Sequence, residues 1–120
     1  MAKENAVRDK SFDFAVRVVN AYKYLADKKR EFVLSRQLLR SGTAIGALVR
    51  EAEHAQSKAD FISKMSIALK EANETDYWID LLHQSGYITQ ENHGSIYPGI
   101  QELIKLLVAI VKSSKAGIGQ

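Results

Sequence analysis

Apolar residues recur at steps of three and four along most of the chain, and no segment alternates with period two for long enough to make a strand. Four helical segments emerge. The first runs from about Lys10 to Asp27, with Phe12, Ala15, Val16, Val19, Tyr22 and Ala26 on its main face and Phe14, Val18, Ala21 and Leu25 beside it. That arc is wider than a contact with one partner helix needs, so this helix either sits deep in a bundle or turns part of its surface to another subunit. The second runs from a Ser35 cap to about His54 and buries Leu38, Leu39, Ile45, Leu48, Val49 and Ala52.

Ser57 and Asp60 form a capping-box-like pair for the third helix, which reaches about Gln84. Its seam is Ile62, Met65, Leu69, Ala72, Ile79 and Leu82. Asp76 falls where that seam would take an apolar residue, as a buried acceptor, an arginine partner or an exposed edge. Gly86 suits the position after that helix and Thr89 the cap of the fourth. The strong part of the fourth is Ile100 to Val111. Pro98 predicts a kink near Gly94 to Gly99, or a short helix followed by the main one. Short turns between four such segments give an all-α, antiparallel up-down-up-down four-helix bundle. With 120 residues the chain makes a single domain, 1–120, with flexible ends expected at about 1–9 and 114–120.

The segment Gln37 to Glu51 departs from ordinary amphipathic patterning. Gly42 and Gly46 lie four apart inside a helix, where each costs about 1 kcal/mol against alanine. The pair therefore predicts close approach of a neighbouring helix. Arg40 and Arg50 in the same segment exclude the membrane setting in which such spacing is common.

Charge adds an asymmetry. Residues 1–50 hold eleven Lys and Arg against five Asp and Glu, a balance of +6, and residues 51–120 hold six against nine, −3. Lys28, Lys29, Arg30 and Arg36 gather around the first turn, and Arg40 shares a helix face with Arg36. These five are the nucleic-acid-binding candidates, suited to phosphate contact. For Arg40 the favoured alternative is structural, with Glu71, Glu74 and Asp76 as available partners. The basic cluster is read as cations without interleaved aromatic residues, so base stacking is not expected. For the asymmetry as a whole the favoured reading is a solvated surface whose opposite halves attract within an oligomer, with an anionic partner as the alternative.

Candidate chemistry is sparse. The chain has no cysteine, hence no disulfide or thiolate site. Glu51-x-x-His54 and Asp80-x-x-His83 resemble half-sites of di-iron bundles, but they fall at opposite ends of the third helix and cannot share a metal. His83 and His93 read as a chance surface pair. No catalytic residue, metal site or cofactor is expected. The N-terminal sequence lacks an apolar signal-like run and the run Leu106 to Val111 is too short to span a membrane, so a cytoplasmic protein without a membrane partner is expected.

Several motifs carry a resemblance: Gln37-Leu-Leu-Arg40-Ser-Gly-Thr-Ala-Ile-Gly46, Arg50-Glu51-Ala52, Ser57-Lys-Ala-Asp60-Phe61, Ile67-Ala-Leu-Lys-Glu71 and Glu74-Thr-Asp-Tyr-Trp78. In order and spacing, over roughly residues 10–113, the chain resembles the bacterial four-helix-bundle proteins linked to ribosomal RNA intervening sequences. The accessory protein of diversity-generating retroelements looks like a relative, a positively charged pentameric barrel that binds nucleic acid and a reverse transcriptase. The resemblance implies a homo-oligomer, a pentamer, with an accessory role in binding RNA or a nucleoprotein. A protein-interaction scaffold docking an acidic partner is the alternative. Ala44 and Leu48 depart from the family pattern, which commonly has serine and asparagine at those places.

Overall fold

A computed structural model describes the backbone of residues 2–118 and the side chains of residues 5–117; the last two residues of the expected C-terminal tail lie outside it. It contains four α-helices: α1 (Ala2–Asp27), α2 (Leu34–Ala52), α3 (Lys58–Gln84) and α4 (Gln90–Ile118). They form an elongated antiparallel four-helix bundle of 50 × 22 × 20 Å. Each helix packs on its neighbours in sequence, α4 closes the ring against α1, and the diagonal pairs do not approach.

The buried positions explain this geometry. They read Val7, Ser11, Phe14, Val18, Leu25 on α1; Leu38, Ser41, Ile45, Val49, Ala52 on α2; Met65, Ala68, Ala72, Thr75, Ile79, Leu82 on α3; and Ile96, Ile100, Leu103, Leu107, Ile110, Ser114 on α4. Steps of three and four recur along the seams, with one step of seven in α1 between Val18 and Leu25, the spacing that packs helices at a shallow crossing angle. The apolar stripe of α4 is long enough by length and composition to cross a membrane, but its buried residues belong to this shared core.

The register of α1 differs from the expected one. Phe14, Val18 and Leu25 face the core, whereas Phe12 and Val16 of the presumed main face stand 53% and 46% exposed. A serine in the seam concealed the true register. Ser11 is buried with its hydroxyl donating to the Arg8 carbonyl at 3.1 Å. The same seam continues back to Val7, which explains why α1 begins at Ala2 rather than near Lys10. At the other end α4 runs past Ser114, whose side chain is buried.

The expected caps form at α3 and α4. Ser57 accepts from the Asp60 amide at 3.0 Å, and Asp60 reaches back to the Gln56 amide. Thr89 and Asn92 bond reciprocally at the start of α4. Gly86 has φ 86°; its amide donates to the His83 carbonyl and that of Tyr87 to Leu82, the paired bonds of a Schellman end. Pro98 lies within one continuous α4. The carbonyl it deprives of a partner belongs to Gly94, an exposed residue with no neighbouring side chain to crowd it, so water can replace the lost bond.

At α2 the expected Ser35 cap is replaced. The N-cap residue is Val33, and the Glu31 carboxylate accepts from the amides of Val33, Leu34 and Ser35 at 3.2, 3.0 and 2.7 Å. Ser35 instead donates its hydroxyl back to the Glu31 carbonyl at 2.7 Å. One carboxylate thus satisfies three orphan amides and sits on the positive end of the helix dipole.

Candidate nucleic-acid interface

The Glu31 clamp fixes residues 28–33, the connection that carries the basic cluster. Burial alone would raise the Glu31 pKa, but the hydrogen bonds from Leu34, Ser35 and Val33 outweigh it and hold the carboxyl below its ordinary value. Glu31 is the only acidic residue between Asp27 and Glu51, and its oxygens face the helix terminus. Lys28, Lys29, Arg30 and Arg36 are all exposed, and none forms an ion pair among the described residues.

Arg30 adopts φ 55°, the left-handed region. An L-residue there loses about 1–2 kcal/mol relative to the right-handed conformation. It occupies the place after α1 where glycine would be easiest, while the following amide, that of Glu31, donates to the Leu25 carbonyl at 3.0 Å.

Aromatic rings stand beside these cations, contrary to the reading of the linear sequence. Lys29 Nζ lies 5.9 Å from the Tyr24 ring centroid, and the Arg30 guanidinium 5.5 Å from that of Phe32. Tyr24 and Phe32 remain 38% and 42% exposed, and Val33 71%. The signal was present in the sequence as Tyr24, one helical turn before Lys28, and as an apolar Phe32-Val33 pair in a charged turn. Phe32 lies between Arg30 and Arg36 in the chain itself, and the fold adds the approach of Lys29 to Tyr24 and of Arg30 to Phe32.

Arg40 is placed differently. It projects from α2 onto α3, where its guanidinium meets Glu71 at 3.2 Å and also Glu74, with Gln37 at 3.3 Å. Glu74 additionally accepts from the Trp78 indole at 2.9 Å. The charge of Arg40 is therefore balanced within the bundle. Arg50, the other arginine of this segment, lies over Phe12 at 5.5 Å. Together with Arg8, Gly46, Glu51 and His54 these two line an open groove of about 730 Å³.

Gly42 and Gly46 lie on the α1 side of α2. A β-carbon at Gly42 would meet Val18 Cγ2 at 2.7 Å, whereas one at Gly46 would lie 3.4 Å from the Ser11 carbonyl oxygen. Ala44 and Leu48 are half-buried, and Leu48 packs against the core.

A second polar cluster joins α3 to α4. The His83 and His93 rings stack at 4.4 Å, and His93 stacks on Tyr97 at 4.7 Å. His93 Nε2 lies 2.9 Å from Asp80 Oδ1. The histidines are thus a packed interhelical pair, not a chance one. Asp76 sits beside them with Oδ1 buried and without a hydrogen-bond partner. Burial and then the Asp80 charge raise its pKa, and the nearby Tyr97 hydroxyl and His93 offset part of that. The Asp76 charge in turn raises the Tyr97 pKa, with burial adding to it. No group of three or more His, Asp or Glu among the described residues is arranged to hold a metal ion. The Glu51 and His54 pair is separated from Asp80 and His83 by the length of α3, about 40 Å for 27 residues.

These features define a small all-helical bundle with an exposed basic end held rigid by an internal carboxylate. The model of the 23S rRNA-intervening sequence protein family matches residues 3–109, and the chain belongs to that family. A crystal structure from Bacteroides thetaiotaomicron, of a protein of unknown function from the S23 ribosomal protein family, is 59% identical. It covers 92% of this chain and 98% of its own, with a TM-score of 0.90. No functionally curated protein matches the chain. Neither description names a catalytic activity.

Proposed function

We propose that this is a non-enzymatic, cytoplasmic, homo-oligomeric bundle protein that binds RNA or a nucleoprotein through its basic end. The observation that carries the reading is the arrangement around Glu31. Lys28, Lys29, Arg30 and Arg36 are exposed without ion-pair partners, and the one acid among them is directed at backbone amides. A rigid cluster of unpaired cations is suited to replacing the counterions of a phosphate backbone. The family's association with a ribosomal RNA intervening sequence supports RNA as the anion. Arg40, being paired with Glu71 and Glu74, serves the bundle in this reading rather than the RNA.

Self-association is supported by α1. Its outward stripe of Phe12, Ala15, Val16, Val19 and Tyr22 ranges from half-buried to exposed in a single copy. Covering such a stripe is favourable by about 25 cal/mol per Å² of apolar surface. The family resemblance suggests five copies. Titration of labelled RNA into the intact protein at low ionic strength tests the first part of the proposal; absence of binding there removes it. Light scattering tests the second, with a mass several times 13.4 kDa expected and a monomer mass contradicting it.

A scaffold that docks an acidic protein is the second reading. It is favoured by Val33, the most exposed of the large apolar side chains, set between Arg30 and Arg36. Partners captured from cells that survive nuclease treatment would support the scaffold, and partners lost with nuclease the RNA reading.

A further inference from the structure

We infer that the basic end takes unpaired nucleotides, with bases stacking on Tyr24 and Phe32, rather than gripping an RNA duplex. This rests on the RNA-binding reading above and names the class of RNA. Cations alone would bind any phosphate backbone, paired or not. The rings add a surface that only an unstacked base can use.

Three observations point the same way. Tyr24 and Phe32 stay well exposed although the core of the same bundle end is closed by Leu25, Leu38 and Leu82. Each ring has a cation over it, 5.5–5.9 Å from its centroid; a base that takes that ring face displaces Arg30 or Lys29, whose long side chain can then meet the phosphate of the same nucleotide. Finally, Arg30 holds its guanidinium beside Phe32 from a left-handed backbone that favours glycine. Retaining a side chain there is meaningful if the side chain is used.

Shape argues against the duplex. The cluster sits on a short turn at the end of each bundle, and among the described residues no helix or ribbon projects from that end to enter a groove. The deep, narrow major groove of A-form RNA is closed to side chains, and its shallow minor groove offers no base face to a ring. Loops, bulges and ends do offer such faces.

The test uses the intact protein and one labelled RNA of about 12 nucleotides, a length within reach of a single basic surface, presented alone or annealed to its complement. Anisotropy titrations compare the wild type, a Tyr24→Ala/Phe32→Ala variant and a Tyr24→Phe/Phe32→Tyr variant. Both ring positions are partly exposed, and circular dichroism checks that the fold is kept. The single strand should bind more tightly than the duplex. The alanine variant should lose roughly tenfold or more of single-strand affinity, the scale of one stacked base, with duplex affinity unchanged. The aromatic-swap variant should restore it. Duplex binding as tight as single-strand binding, together with no loss in the alanine variant, would overturn the inference while leaving RNA binding by the cations intact. Failure of both RNAs to bind would overturn the RNA-binding reading and this inference with it.

Discussion

Gly42 and Val18 meet so closely that a β-carbon on the glycine would lie 2.7 Å from one Val18 methyl and 2.8 Å from the other. Alanine at 42 gains about 1 kcal/mol of helix propensity, but overpacking of a closed contact costs about 1–3 kcal/mol. Both valine methyls would have to move, so the steric cost wins. Gly42→Ala is expected to lower unfolding free energy by about 1 kcal/mol on that balance. Gly46→Ala places its methyl at ordinary contact distance from Ser11 and is expected to be neutral, or stabilising by up to about 1 kcal/mol. Urea denaturation of both variants decides this, and equal effects would contradict it. Because the added methyl fills part of the space that the valine leaves, Val18→Ala/Gly42→Ala should be less destabilised than the sum of the two single variants.

Glu31 links the basic turn to the fold. Glu31→Ala leaves three helix-terminal amides without their acceptor, and a loss of about 1–2 kcal/mol is expected, as for a lost N-cap. The pH dependence has a definite sign. The folded pKa lies below that of the unfolded chain, near 4.3. The contribution is therefore complete above that range and is lost as pH falls through the folded value. Glu31→Gln should flatten this part of the acid limb. An acid limb unchanged from wild type would refute the clamp.

Asp76 behaves in the opposite sense. Its folded pKa is raised, chiefly by burial, so ionisation is harder in the bundle than in the unfolded chain. Stability falls as pH rises past the ordinary aspartate value, and the penalty persists once both states are ionised. Asp76→Asn should stabilise the protein at pH 7 and leave it nearly unchanged at about pH 3, where the Asp76 carboxyl is mostly protonated in the folded and the unfolded chain alike. Thermal melts at the two pH values test this; a destabilised variant at neutral pH would show that the carboxylate has a partner it needs.

Arg40 separates structure from binding. Its pairs with Glu71 and Glu74 are partly solvent-exposed, so Arg40→Gln should cost up to about 1 kcal/mol. RNA affinity should be unaffected. Arg36→Gln should do the reverse, sparing stability and weakening binding. Affinity lost equally at both positions would place Arg40 back in the interface.

Much of the fold was legible because it rests on local chemistry. The Ser57–Asp60 pair, the Thr89 cap, the Gly86 terminator and the extent of α3 depend on residues within one or two turns of each other; the reciprocal bond from Asn92 to Thr89 came from the structure. The register of α1 was not legible, because Ser11 interrupts the apolar pattern and only the neighbouring helix shows that a small residue belongs there. Thr75 was missed for the same reason; buried, it shares a hydrogen bond with Ser41 across α2 and α3 at 2.9 Å. The Glu31 clamp also escaped, since a charged turn gives no sign that its one acid points inward. Of the candidate site, the cations were visible as composition, and the structural pairing of Arg40 was already the favoured reading; Glu71 and Glu74 are its partners, and Asp76, the third considered, is not. The aromatic rings beside them, Tyr24 one turn before Lys28 and Phe32 between Arg30 and Arg36, were present in the chain but not read as part of the cluster.

The proposed RNA binding rests on the free cations at the α1–α2 end, and its salt dependence tests them most directly. The measurement is the slope of log affinity against log salt for the intact protein and for a Lys28→Gln/Lys29→Gln/Arg30→Gln/Arg36→Gln variant. Each phosphate contact on a single strand contributes about −0.7 to that slope. The wild type should show a steep negative slope and the variant one shallower by up to about 2.8 if all four cations contribute. Wild-type and variant slopes that coincide would contradict the assignment of RNA binding to this end.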